Sequence, residues 1–106
     1  MEKNVEQGLL YDFYGELLTE HQKQIYEAAV YNDMSLTEIA DEHGISKQGV
    51  HDLIKRCTRS LQEYEDKLHM IKRFEAIKTQ AERLKEVSGG NEDLISISEK
   101  ILEELG

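Results

Sequence analysis

Proline is absent from this chain, cysteine occurs once, and aromatic side chains make up 7% of the residues. Without proline, nothing in the 106 residues forbids a helical backbone. With Cys57 alone, no internal disulfide forms and nothing points to an oxidising compartment. Long apolar runs are missing too. The first residues, Met-Glu-Lys-Asn-Val-Glu, hold no apolar stretch of signal-peptide length. No segment approaches the ~20 apolar residues that cross a bilayer, so no membrane partner is expected and the cytoplasm is the simplest compartment. Positive charge is scarce as well: 13 Lys and Arg face 22 Asp and Glu, a net charge of −9. Taken alone, that balance argues against a general nucleic-acid binder, because phosphate backbones attract basic proteins.

The little positive charge present is concentrated. Residues 1–46 hold 10 acidic and 2 basic side chains, and residues 60–106 hold 11 acidic and 7 basic. Between them, Lys47, Lys55, Arg56 and Arg59 stand against Asp52 alone. Of these three segments only 47–59 has a basic excess, and it falls on one predicted helix, which keeps a specific contact with nucleic acid open.

Apolar positions 9, 10, 13, 14, 17 and 18 are spaced for a first helix over 9–18. Thr19 reads as an N-cap for a second helix, Glu20 to about Asn32, with Ile25, Tyr26, Ala29 and Val30 as its buried stripe. Asn32 and Asp33 suit a turn. Ser35 and Glu38 then form a capping box, Leu36, Ile39 and Ala40 make an apolar face, and Gly44 ends the helix in the left-handed region. Ser46 caps the next helix. From Lys47 to about Glu86 two apolar sets run out of phase near Met70 and Ile71, one at 57, 61, 64, 68 and 71, the other at 70, 74, 77, 81 and 84. Either one helix with a shifted seam or two joined helices fits; continuity is expected to about residue 69. Ser88-Gly89-Gly90-Asn91 is a linker, and Asn91 caps a last helix with Leu94, Ile97, Ile101 and Leu105 on one face. The expected domains are 1–87, a linker at 88–91, and a C-terminal helix over 92–106.

The informative constellation is Glu38 to Leu53. A helix-turn-helix needs a small residue where its helices cross (Ala40) and a turn residue four later that tolerates positive φ (Gly44). It also needs apolar residues that lock the second helix onto the first: Ile39, Ile45, Val50 and Leu53. With Val50, Leu53, Ile54 and Cys57 inward, Lys47, Gln48, His51, Asp52, Lys55, Arg56 and Arg59 lie outward. Lys55, Arg56 and Arg59 suit phosphates; Gln48 and His51, near the helix start, suit base edges. Asp52 repels phosphate, and Gly49 weakens the helix by roughly 1 kcal/mol relative to Ala. A solvated basic face on an ordinary helix is the plain alternative.

No catalytic, cofactor or metal constellation emerges. His21, His43, His51 and His69 are scattered, none belongs to a His-Glu-x-x-His motif, and the glycines form no phosphate-cradling loop. Cys57 reads as a small core residue. Tyr11, Phe13, Tyr14 and Tyr26 read as core packing with hydroxyls at the surface. The apolar stripes read as a helix-packing seam or a dimer contact.

Leu18-Thr19-Glu20-His21-Gln22, Tyr31, Leu36-Thr37-Glu38-Ile39-Ala40, Gly44-Ile45-Ser46 and Val50 together resemble region 4 of sigma factors. Tyr-Asp-Phe-Tyr-Gly-Glu-Leu-Leu-Thr (11–19), Asn-Asp-Met-Ser-Leu-Thr-Glu-Ile-Ala (32–40) and Ile-Ser-Lys-Gln-Gly-Val-His-Asp (45–52) more closely resemble the YlxM-type family of bacterial helix-turn-helix proteins, over about residues 9–87. The resemblance implies an all-α, sigma region-4-like bundle with a long helix and a C-terminal helix. It also implies a non-enzymatic regulator of the signal recognition particle pathway, binding the particle's RNA, its GTPase or both. A DNA-binding transcription regulator is the alternative, and a homodimer is compatible with either. The chain has no room for a sigma factor's polymerase-binding and promoter-melting regions.

Overall fold

The computed structural model describes the backbone of residues 3–106 and the side chains of residues 5–106. The described residues form α1 (Lys3–Tyr14), a 3₁₀ turn (Gly15–Leu17), α2 (Glu20–Val30), α3 (Leu36–His43), α4 (Lys47–Leu68), α5 (Met70–Val87) and α6 (Glu92–Leu105), with no strand among them. The fold is all-α. It packs as two compact units, Met1–His69 and Met70–Gly106.

In the first unit, side-chain caps begin three of the helices. Thr19 accepts from the Gln22 amide while the Gln22 side chain accepts from the Thr19 amide, and Ser35 and Glu38 repeat the arrangement at α3. Ser46 accepts from the Gly49 amide at 2.9 Å to begin α4. A side-chain carbon at position 49 would lie 3.1 Å from that hydroxyl, so glycine leaves the cap room there. Gly44 ends α3 at φ 67°, and its amide bonds back to the Ala40 carbonyl. Helices α1, α2 and α3 all pack on α4, and the core between them is Leu10, Tyr14, Leu18, Ile25, Tyr26, Ile39, Val50, Leu53, Cys57 and Leu61.

Several expectations shift. The first helix starts at Lys3, and its last turn tightens into the 3₁₀ turn at Gly15. The Tyr11 ring packs so closely over Gly15 that a carbon added there would come within 2.7 Å of it. Leu17 consequently faces solvent while Leu18 is buried. On α2 Ala28 is buried beside Ile25 and Tyr26, while Ala29 and Val30 are half-buried. Tyr26 is fully buried, hydroxyl included. Thr58 donates its own hydroxyl proton to the Ile54 carbonyl at 3.0 Å, so the Tyr26 hydroxyl donates to Thr58 Oγ1, 2.8 Å away. Tyr11 and Tyr31 hold α1 against α2 by donating to Glu27 and Asp12. Their rings meet edge to face at 5.6 Å.

The seam near Met70 is a helix break. His69 takes the left-handed conformation at φ 56°, and its amide bonds to Glu65 as the C-cap of α4. The break lies where the two apolar sets slip by one position. Packing therefore groups α5 with α6, whereas the sequence expects one domain to residue 87. The tight turn at 88–90 makes the two helices of the second unit neighbours. Asn91 caps α6 by accepting from the Leu94 amide. The apolar face of α6 is only partly buried. Ser98 is completely buried, donating to the Ile95 carbonyl at 2.7 Å, while Leu94 and Ile97 face outward.

Candidate nucleic-acid interface

Helix α4 comes after the short turn that ends α3, and its placement starts from its inward side. Val50, Leu53, Cys57 and Leu61 are buried, and Ile54 is half-buried. Burial raises the Cys57 thiol above its ordinary pKa, in keeping with a core residue. At 3.6 residues per turn, the opposite ridge carries Gln48, Asp52, Lys55 and Arg59. Lys47, Gln48, His51, Lys55, Arg56 and Arg59 are all exposed. Among the described residues, Lys47, Lys55, Arg56 and Arg59 form no ion pair. Lys23, by contrast, bridges Glu16 and Glu20, and its pKa is raised by the hydrogen bond to Glu16.

The six residues do not make one uniform patch. His51, Lys55 and Arg59 line a groove of about 700 Å³ together with Gln7, Ile54, Thr58 and Gln62. Its far end is acidic, lined by Glu63 and Asp66. Lys47, Gln48 and Arg56 lie outside that groove. Arg56 is roughly 100° around the helix from Lys55, so an extended backbone meeting both must cross the ridge rather than track the groove.

Asp52 does more than repel phosphate. Gln48 Nε2 donates to Asp52 Oδ1 at 2.9 Å, and His51 Nδ1 lies 3.6 Å from the same oxygen. Of the two residues expected to reach base edges, Gln48 is thus tied to a carboxylate, while His51 lies beside the same oxygen beyond hydrogen-bond distance. The four-residue spacing of Gln48 and Asp52 on a helix was the available signal for the first contact. The histidines are less scattered than their spacing suggests, since the His21 and His43 rings meet edge to face at 6.0 Å. No group of three or more His, Cys, Asp or Glu suited to a metal ion occurs among the described residues.

A protein-family model described as "Putative helix-turn-helix protein, YlxM / p13 like" matches residues 1–101. The chain belongs to that YlxM/p13-like family. The UPF0122 protein YlxM of Bacillus subtilis is 40% identical over 93 residues, 88% of this chain and 84% of that protein. A UPF0122 protein of Bacillus licheniformis is 39% identical over 104 residues, 95% of this chain and 97% of its own length. One from Caldanaerobacter subterraneus is 47% identical over 78 residues, 74% of this chain and 67% of that protein. For two Thermoanaerobacter proteins the match spans 66% of their length, just under two thirds. The all-α helix-turn-helix architecture accords with the family description. Among the described residues, no helix is long and apolar enough to cross a membrane.

Proposed function

We propose that this YlxM/p13-like protein is a non-enzymatic, cytoplasmic regulator that binds nucleic acid through the outward face of α4. The observation carrying this reading is the exposure of Lys47, Lys55, Arg56 and Arg59 without an acidic partner among the described residues, in a chain whose net charge is −9. Unpaired cations on one helix neutralise phosphates, while the surrounding acidic surface suppresses indiscriminate binding. The hydrogen bond from Gln48 to Asp52 favours contact with phosphates over readout of bases by Gln48.

The resemblance to the YlxM-type family supports assigning this activity to the signal recognition particle pathway, on the particle's RNA, its GTPase or both. The alternative is a DNA-binding transcription regulator. It is favoured by the exposed positions of Gln48 and His51 at the start of the second helix of the motif, where base-reading side chains sit. It requires Asp52 to release Gln48.

Parallel titrations against the particle's RNA, duplex DNA and the particle's GTPase separate these readings. The proposal expects binding to the structured RNA that weakens with salt. Binding to one duplex sequence over others, with none to the RNA, supports the alternative. Absence of nucleic-acid binding at low salt contradicts the cationic-face reading.

A further inference from the structure

The α5–α6 hairpin leaves apolar surface on one side that two helices alone have no means of covering. Ile77 is 49% exposed and Ile97 51%, with Leu94 beside them at 38%. Between the helices on that side runs an apolar groove of about 340 Å³, floored by Ala81, Leu84 and Ile101. Charge is divided across it. Helix α5 carries five basic side chains against three acidic, and α6 five acidic against one basic. Within the hairpin the same complementarity already operates, since Lys85 pairs with Glu99 at 3.5 Å. By helical periodicity, Arg73 borders the apolar strip on the α5 edge and Glu104 borders it on the α6 edge. Both are exposed.

We propose that this face seats a second copy of the chain, two hairpins packing face to face as a four-helix bundle. The charge division selects the occupant and the arrangement. A two-fold axis parallel to the helices lays the basic α5 of each copy over the acidic α6 of the other, with all neighbours antiparallel. It brings Arg73 of each copy near the Glu104 end of its partner. The other face-to-face two-fold lays α5 on α5 and sets like charges opposite one another. The size also suffices. An 18-residue helix is ~27 Å long and a pair is ~20 Å wide, giving ~500 Å² per copy and ~1,000 Å² in total, the lower bound for a specific interface.

Sedimentation velocity of the full chain from roughly 1 to 100 µM tests this. The proposal expects a monomer–dimer equilibrium. Ile97→Asp, at an exposed position, raises the dimer Kd at least about tenfold with helicity by circular dichroism unchanged. Arg73→Glu and Glu104→Arg each weaken the dimer, and combining them restores it, because each pair is re-formed with its signs exchanged. A chain that stays monomeric throughout overturns the proposal. So does a dimer whose Kd is indifferent to Ile97→Asp, or a double exchange that weakens association as much as the two single changes combined.

Discussion

Gly44 and Glu38 show how much of the helix-turn-helix rests on single residues. At φ 67° Gly44 occupies a backbone region that an L side chain enters at a cost, although open space surrounds it. Gly44→Ala should therefore destabilise the chain by about 1–2 kcal/mol, read as a lower denaturant midpoint with an unchanged slope. Glu38 accepts from the Ser35 amide, and that backbone hydrogen bond holds its carboxyl below the ordinary carboxylate range. The folded state thus favours the ionised form. Its contribution is present above the ordinary pKa and is lost as pH falls through the depressed one. Glu38→Gln keeps an acceptor that does not titrate, so between pH 6 and pH 3 the unsubstituted protein should lose more thermal stability than the variant. Equal losses would show that the cap does not depend on charge. These caps were legible in the sequence because each is a local rule of residue type and spacing. The close approach of Tyr11 to Gly15 was not, since it depends on how the helix tightens into a 3₁₀ turn.

Elements were legible wherever a marker residue ended them. Thr19, Ser35, Gly44, Ser46 and Asn91 each bound a helix where expected. The break between α4 and α5 has no glycine or proline to announce it, only a one-position slip in the apolar repeat. His69 bears that break in a left-handed conformation. His69→Gly should stabilise the chain by roughly 0.5–1 kcal/mol in denaturant melts, because glycine adopts this C-cap conformation without steric penalty. Loss of stability instead would mean that the histidine side chain contributes more than its backbone costs. Which part of the α6 stripe is buried was not legible for a different reason. Apolar spacing marks a stripe without saying which edge of it meets a neighbour, and Ser98 rather than Ile97 fits the closest approach.

At the scale of the whole molecule, the chain is acidic, with a net charge of −9, and α4 exposes four cations near its start. The six residues read from the sequence are all solvent-exposed. Their division into a groove and a flank emerged only from the helix geometry, whereas the hydrogen bond from Gln48 to Asp52 had a signal in their four-residue spacing. A net charge of −9 makes long-range attraction to nucleic acid weak, so the proposed binding rests on local contacts on α4. Neutralising three or four phosphates on duplex DNA predicts a log–log slope of affinity against salt of about −3, and a shallower one on single strands. The decisive experiment titrates the Arg56→Glu, Arg59→Glu double variant against the particle's RNA at low salt, with circular dichroism as the control for folding. Helicity should be kept and binding lost. Binding that persists in a fully helical double variant would contradict the cationic-face assignment and move the interface elsewhere.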